Sequence, residues 1–214
     1  MSVIVAIKKD NKVYFGADTQ TTKGSLKTSS FLENNFKLWK VKGVDNCIMG
    51  GVGSARDSCV IKVAKNLIDE IDVLHNNIDY DYVVEKLAPR IVKRLEQFGY
   101  TKNLDKDAVM DSTFLFGYKD KLYLLSWSGC VTEIDDCVAI GSGADEALGS
   151  LSTSMSEKNA EMRIIKAIKS SVLHDIYVNY PLILVDTEKS KFKIMTEESV
   201  KAIDDSKWCN YNKK

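Results

Sequence analysis

Only two prolines, Pro89 and Pro181, occur in the 214 residues, and no stretch rich in Pro, Gly or Ser interrupts them. Nothing marks a linker, so a single domain over residues 1–214 is expected. At 44% hydrophobic residues the chain can bury a substantial core. Net charge is also missing, since 30 basic residues balance 30 acidic ones. With no overall electrostatic pull, neither nucleic acid nor an anionic membrane is expected as a partner. The two histidines, His75 and His174, stand at no metal-ligand spacing and have no Ser or Cys partner in a triad motif. Both read as structural, and no metal or cofactor is expected. The five cysteines (Cys47, Cys59, Cys130, Cys137 and Cys209) offer neither Cys-x-x-Cys spacing nor an even disulfide framework. Reduced, mostly buried thiols are expected. The first apolar run ends after five residues at Lys8-Lys9, too short for a signal-peptide core or a membrane span. A cytoplasmic protein is expected.

What is present is concentrated at the start. Met1-Ser2 precedes the apolar strand Val3-Ile4-Val5-Ala6-Ile7, and a side chain as small as serine favours removal of the initiator Met. A serine at a free N-terminus carries its own base: the α-amine, with a reference pKa of about 7.7–8.0, can take the hydroxyl proton directly or through a water. No catalytic histidine is then required. The polar turn Lys8–Lys12 and a second strand Val13–Ala17 read as a β-hairpin, which returns Asp18 beside the start of the first strand.

Further along, strands are expected at Phe36–Val41 and Cys47–Gly50, the latter leading into a small-residue turn, Gly50-Gly51-Val52-Gly53-Ser54-Ala55-Arg56-Asp57. One amphipathic helix is then expected from Asp57, with Val60, Val63, Ala64, Leu67, Ile68, Ile71 and Leu74 on its apolar face. A second runs from about Asp79 to Phe98 and stops at Gly99, with Pro89 expected to kink it. Strands return at Ser112–Gly117, Lys121–Trp127 and Cys137–Gly141. Helices follow at Asp145–Leu151 and from Ser156 to about Leu173, and the last strands are Tyr180–Val185 and Lys191–Met195. Strands, two helices, strands, two helices, strands suggest an α+β fold, two packed sheets with a helix pair on each outer face.

Asn35-Phe36-Lys37-Leu38, the Gly50–Ser54 run and Val138-Ala139-Ile140-Gly141-Ser142-Gly143 complete a pattern. With them the chain resembles the proteasome β-subunit family and, within it, the HslV-type peptidases. The resemblance covers roughly residues 2–195 and rests on order and spacing more than on any one motif. It implies a four-layer α-β-β-α sandwich of the N-terminal nucleophile hydrolase type, and the lack of an N-terminal helical extension makes the chain β-like. It also implies that Lys37 stands beside Ser2, lowering the pKa of hydroxyl and amine, with Asp18 holding the lysine charged. Lys40, three residues on, is the rival. Gly53 is implied as oxyanion donor at a helix N-terminus, Ser142 as partner of the new N-terminus, and Asp175 as support for Ser2 and its amine. Two positions depart from the family: Ser54 replaces its usual second glycine, and Val178 replaces a serine found in many members.

The reading that follows is a self-compartmentalising peptidase. Rings of subunits would enclose the Ser2 sites, peptide or unfolded protein would be the substrate, and an ATP-dependent unfoldase could feed it. A non-catalytic ring protein that keeps Met1, and a free-standing amidase acting on a small amide, are the alternatives. Pockets and assembly surfaces are expected in the loops Thr21–Asn34 and Asn103–Met110.

Overall fold

A computed structural model of the chain describes residues 2–98, 102–104 and 107–203. Its organising strand is β1 (Val3–Lys9), whose residues Val3 to Ile7 have no exposed surface. Asp10 and Asn11, at φ 53° and 57°, turn it into β2 (Lys12–Asp18). Two polar residues that tolerate the left-handed conformation suit a two-residue hairpin with the twist of its strands. The register sets Lys9 against Lys12 and Ile4 against Ala17, which returns Asp18 to the beginning of β1.

The chain continues through a small hairpin, β3 (Thr21–Lys23) and β4 (Leu26–Thr28), then β5 (Leu38–Lys40) and β6 (Cys47–Gly53). Helices α1 (Ala55–Val63), α2 (Glu70–Leu74), α3 (Tyr80–Tyr82) and α4 (Ala88–Gln97) come next. After them lie a second small hairpin, β7 (Lys102–Leu104) and β8 (Asp107–Val109), and the strands β9 (Ser112–Tyr118), β10 (Lys121–Leu125), β11 (Val131–Glu133) and β12 (Cys137–Gly141). Helices α5 (Ala144–Thr153) and α6 (Ala160–His174) and strands β13 (Leu182–Asp186) and β14 (Lys193–Met195) follow, and residues 197–203 are helical.

Two five-stranded sheets result, ordered β12-β1-β2-β13-β14 and β11-β10-β9-β6-β5. Successive side chains of a strand point to opposite faces, and β1 is apolar at every position because both faces are covered. Val3, Val5 and Ile7 share a core with Ala147 of α5 and Ile164 and Ile168 of α6. Ile4 and Ala6 share another with Ile48 and Leu115 of the opposite sheet. A third core joins Phe114, Phe116 and Tyr123 to Val60 and Ile61 of α1 and Ile91 and Leu95 of α4. Three apolar layers between four layers of secondary structure make the expected α-β-β-α sandwich.

Local differences from the sequence reading have identifiable causes. The helix expected from Asp57 through Leu74 is two helices: Ala64 is extended and Asn66 is left-handed at φ 59°, so α1 ends at Val63 and α2 begins after Asp69. The break carries Leu67 and Ile68 into the core, while Ile71 and Leu74 stay exposed. Ahead of Pro89 the backbone takes a π turn over Val83–Leu87, Ala88 N–H donating to Val83 O, and the proline sits where the α register restarts. Its missing N–H thus falls at the first turn of α4, where it is tolerated. Asp79 caps the start of this helical run, its Oδ1 accepting from Tyr82 N at 3.0 Å.

Gly50 to Gly53 belong to β6, and the turn is confined to Gly53-Ser54. Strand β11, which the sequence reading lacks, is a short edge strand of three residues. Of the cysteines, Cys47 is buried, Cys137 half-buried, and Cys59 and Cys130 exposed, all as free thiols, so the expectation of mostly buried thiols is corrected for these four. Trp39 is in the core and Trp127 is exposed. Gly99, Trp208 and Cys209 lie outside the described residues. Among the described residues no helix is long and apolar enough to cross a membrane.

Candidate active site

The hairpin that returns Asp18 to the start of β1 also fixes its carboxylate there. Asp18 is fully buried and accepts the Val3 N–H on Oδ1 at 3.0 Å and the Gln20 N–H on Oδ2 at 3.1 Å. Lys37 Nζ donates to the same Oδ1 at 2.6 Å, with only 11% of its side chain exposed. Lys37 precedes β5, and its carbonyl accepts Gly51 N–H at 3.1 Å, which holds the lysine's backbone against β6. Burial pushes the Asp18 carboxyl up and the Lys37 ammonium down, and the contact between them opposes both shifts; Asp175 adds a negative field that favours the Lys37 cation. Lys40, three residues on, is exposed.

Ser2 itself is 6% exposed. Its N–H donates to Ser142 Oγ at 3.0 Å, and the Ser2 carbonyl accepts from Ser142 Oγ at 3.4 Å and from Gly143 N–H at 3.2 Å. This contact needs glycine just before it: Gly141 has φ +105°, and a Cβ there would stand 2.1 Å from the Ser2 carbonyl oxygen. Gly143 precedes α5, and its carbonyl accepts from buried Ser171 Oγ of α6 at 2.6 Å. Ser171 was not singled out in the sequence, where one serine in a helical run carries no signal. Val178, at the departure from the family's serine, is buried in the core beside Gly143, with Cγ2 at 3.1 Å from where a Cβ on that glycine would be.

Asp175 follows the last residue of α6. Its Oδ1 accepts from Tyr177 N–H at 2.8 Å, while Oδ2 is buried with no hydrogen-bond partner among the described residues. A buried carboxylate oxygen without a partner is costly, and the charge of Asp175 favours the Lys37 cation.

Ser2, Lys37, Gly51, Val52 and Gly53 all line a cleft of about 380 Å³. Gly53 has φ +108°, and a Cβ there would stand 2.3 Å from the Asp111 carbonyl oxygen. Ser54 then caps α1, its Oγ accepting from Asp57 N–H at 3.3 Å. Ser112 Oγ ties the same corner, accepting Ser54 N–H at 3.1 Å and donating to Asp57 Oδ2 at 3.0 Å. The Gly51 amide is taken by Lys37 O, while Gly53, the last residue of β6, also lines the cleft. The Thr21–Asn34 segment contributes Thr22, Thr28 and Ser30 to the rim. Gln20, which reaches Ile176 O at 2.9 Å, and Lys62 of α1 also line the cleft. Sequence reasoning passed over both. Gln20 adjoins Asp18, which could have flagged it, but nothing in the helical pattern distinguishes Lys62.

Two sheets packed face to face, helix pairs outside, and a central strand that opens at the mouth of a cleft are the fold of the N-terminal nucleophile hydrolases. Residues 2–180 match the family described as "Proteasome subunit", and the chain belongs to that family. In fold it is similar to the BPH of Thiobacillus denitrificans in complex with epoxomicin, at 17% identity over 86% of this chain and 97% of that one, TM-score 0.66. It is similar to an Anbu (Gly-1) mutant from Hyphomicrobium sp. strain MC1, at 14% identity over 100% and 98% of the two chains, TM-score 0.69. It is also similar to eukaryotic HslV from Trypanosoma brucei, at 19% identity over 86% and 98%, TM-score 0.60.

Proposed function

We propose that the protein is an N-terminal-nucleophile peptidase that cleaves peptide bonds with Ser2 once Met1 is removed. The observation that carries this reading is the convergence of Ser142 on Ser2 and of the Asp18–Lys37 pair on Val3, the next residue, at the edge of a cleft. Ser2 Oγ attacks the substrate carbonyl while the freed α-amine takes the hydroxyl proton and later returns it to the leaving amine. The Lys37 ammonium, held by Asp18, favours the neutral amine and the developing alkoxide. Gly53, at the start of α1, donates its amide to the oxyanion. Ser142 keeps the N-terminus in place, and Asp175 supports Lys37 and, through it, the amine.

The peptidase works as a homo-oligomer in this proposal, with peptide or unfolded protein as substrate and an ATP-dependent unfoldase as a feeding partner. Exposed Ile71, Leu74, Met155, Leu173 and Ile176 supply apolar surface for neighbouring copies. A helical assembly is recorded for the Anbu complex of Pseudomonas aeruginosa. The four free thiols among the described residues suit a reducing, cytoplasmic setting.

Mass spectrometry before and after a peptide epoxyketone tests the reading, because that reagent bonds to a hydroxyl and an amine on the same residue. An adduct on the Met1-free chain, absent from Ser2→Ala and from chains that retain Met1, is the expected result. Ser2→Ala also abolishes hydrolysis and changes stability by less than about 1.5 kcal/mol, the worth of one hydroxyl hydrogen bond. No adduct on processed, assembled protein would leave a non-catalytic ring protein as the better reading.

A further inference from the structure

The cleft beside Ser2 has an unusual wall for a peptide site. Among the described residues its lining is mostly hydroxyls and amides, its only sizeable apolar side chains are Phe36 and Val52, and no Asp or Glu lines it. Two lysines do. Lys37 is spoken for by Asp18 at 2.6 Å, but among the described residues Lys62 has no carboxylate within ion-pair distance. Lys62 Nζ sits between the carbonyls of two lining residues, donating to Phe36 O at 2.5 Å and Asn34 O at 2.9 Å. Nζ also lies 5.5 Å from the centroid of the Trp39 ring, and of the three donors of an ammonium one has no hydrogen-bond acceptor among the described residues. The nearest carboxylate whose field reaches it is that of exposed Glu33, which is not part of the cleft wall. Burial disfavours the Lys62 cation, and an arriving anion would offset that cost.

We propose that the cleft selects peptides with an acidic side chain, Glu or Asp, on the residue whose carbonyl Ser2 attacks, and that Lys62 is the residue that selects it. This rests on the peptidase reading above. The carbonyl-bearing residue must sit against Ser2, so its side chain enters the space that Ser2, Lys37 and Gly53 share with Lys62. A carboxylate there gains the remaining Lys62 donor and the surrounding hydroxyls of Thr22, Thr28 and Ser58. A large apolar side chain would instead bury polar groups without partners, and a Lys or Arg side chain would meet two cations. The Lys62 cation comes from α1 and is held by the carbonyls of two other lining residues, Asn34 and Phe36.

The test uses processed, assembled protein and a matched series of fluorogenic peptides that differ only in the cleaved residue: Glu, Gln, Leu or Lys. A kcat/KM for Glu about tenfold above that for Gln, and above Leu and Lys, is expected from one charge-assisted hydrogen bond in a half-buried site. Lys62→Met brings the Glu-to-Gln ratio to about one, and Lys62→Arg keeps it above one. A purely structural Lys62 would lower both rates and leave the ratio unchanged, which overturns the proposal, as does equal or preferential cleavage after Leu by the unaltered protein. If no peptide is cut, the peptidase reading fails by itself. The same series bound to the Ser2→Ala protein then decides the cleft's preference, tighter binding of the Glu peptide sustaining it and equal binding overturning it.

Discussion

The backbone N–H of Val3 donates to Asp18 Oδ1 at 3.0 Å, and that same oxygen receives Lys37 Nζ at 2.6 Å. One carboxylate oxygen therefore fixes the strand that carries Ser2 and the cation proposed to act on it. Removing the lysine leaves Asp18 charged and buried with only two amide donors. Lys37→Met is expected to cost about 3–5 kcal/mol at neutral pH, the range for breaking a buried pair on one side. Burial already holds the folded Asp18 pKa above 3.8, and loss of Lys37 raises it further. A carboxyl with a raised folded pKa binds a proton in the native state at pH values where the unfolded state does not. Stability of the variant relative to the parent therefore recovers as pH falls from neutral toward 3.8, by up to about 1.4 kcal/mol per unit. Denaturant titrations at pH 7.5 and 5 measure this, and an equal deficit at both would show that Asp18 is not the cause.

Lys37 and Lys40 are separated by one turn's worth of sequence but by the whole thickness of a strand edge in environment. Lys37 is paired with a buried aspartate, and Lys40 is exposed. Lys37→Ala is expected to lower kcat/KM by at least a hundredfold, the typical loss when a positioned electrostatic group is removed. Lys40→Ala should stay within about twofold, and an inactive Lys40→Ala with active Lys37→Ala would mean the lysines have been assigned in the wrong order.

Much of this was legible in the chain. The β1–β2 hairpin, and with it the delivery of Asp18, follows from an apolar run, a polar turn and a second run, although the turn read as Lys8–Lys12 is only Asp10-Asn11, with Lys9 and Lys12 already paired. The four-layer order follows from the alternation of periodicities. What escaped is decided by tertiary packing: Asn66 breaks a helix that its apolar spacing would continue, and Gly50 and Gly51 read as turn residues although they pair in β6 with Leu115 and Phe114. Lys62 escaped for a similar reason, since a charged residue on an amphipathic helix looks solvated until its Nζ is seen donating to the Asn34 and Phe36 carbonyls. Ser142 and Gly141 were visible as a motif, but the need for glycine shows only when the Ser2 carbonyl is seen where a Cβ would be.

That contact makes Gly141 a sensitive position. Gly141→Ala combines a φ of +105° with a Cβ 2.1 Å from a backbone oxygen, and the neighbouring atoms are backbone, which cannot rotate away. A loss of about 3 kcal/mol is expected from strain and displacement together, with the Ser2–Ser142 contact broken. Thermal unfolding of the assembled protein measures the first and hydrolysis the second. Gly149→Ala, on α5 with nothing within 4 Å of its added Cβ, is the control and should be neutral or stabilising by up to about 1 kcal/mol.

The pH dependence of hydrolysis follows from the proposed base. An N-terminal amine has a reference pKa of about 7.7–8.0, and a cation close by disfavours its protonated form, which moves that value down. The active form is the neutral amine, so kcat/KM should rise with pH along a single acid limb whose midpoint lies below about 7.7. Histidine would give a limb at a similar pH, so the position alone does not identify the base. His75 and His174 are both exposed, and the His75→Gln/His174→Gln double variant should keep the limb unchanged. Removing the cation should shift it instead: in whatever residual activity Lys37→Ala retains, the midpoint moves up toward the ordinary N-terminal value, because the amine no longer faces an ammonium. A limb that vanishes with the histidines, or one that stays put when Lys37 is removed, would take the α-amine of Ser2 out of the mechanism.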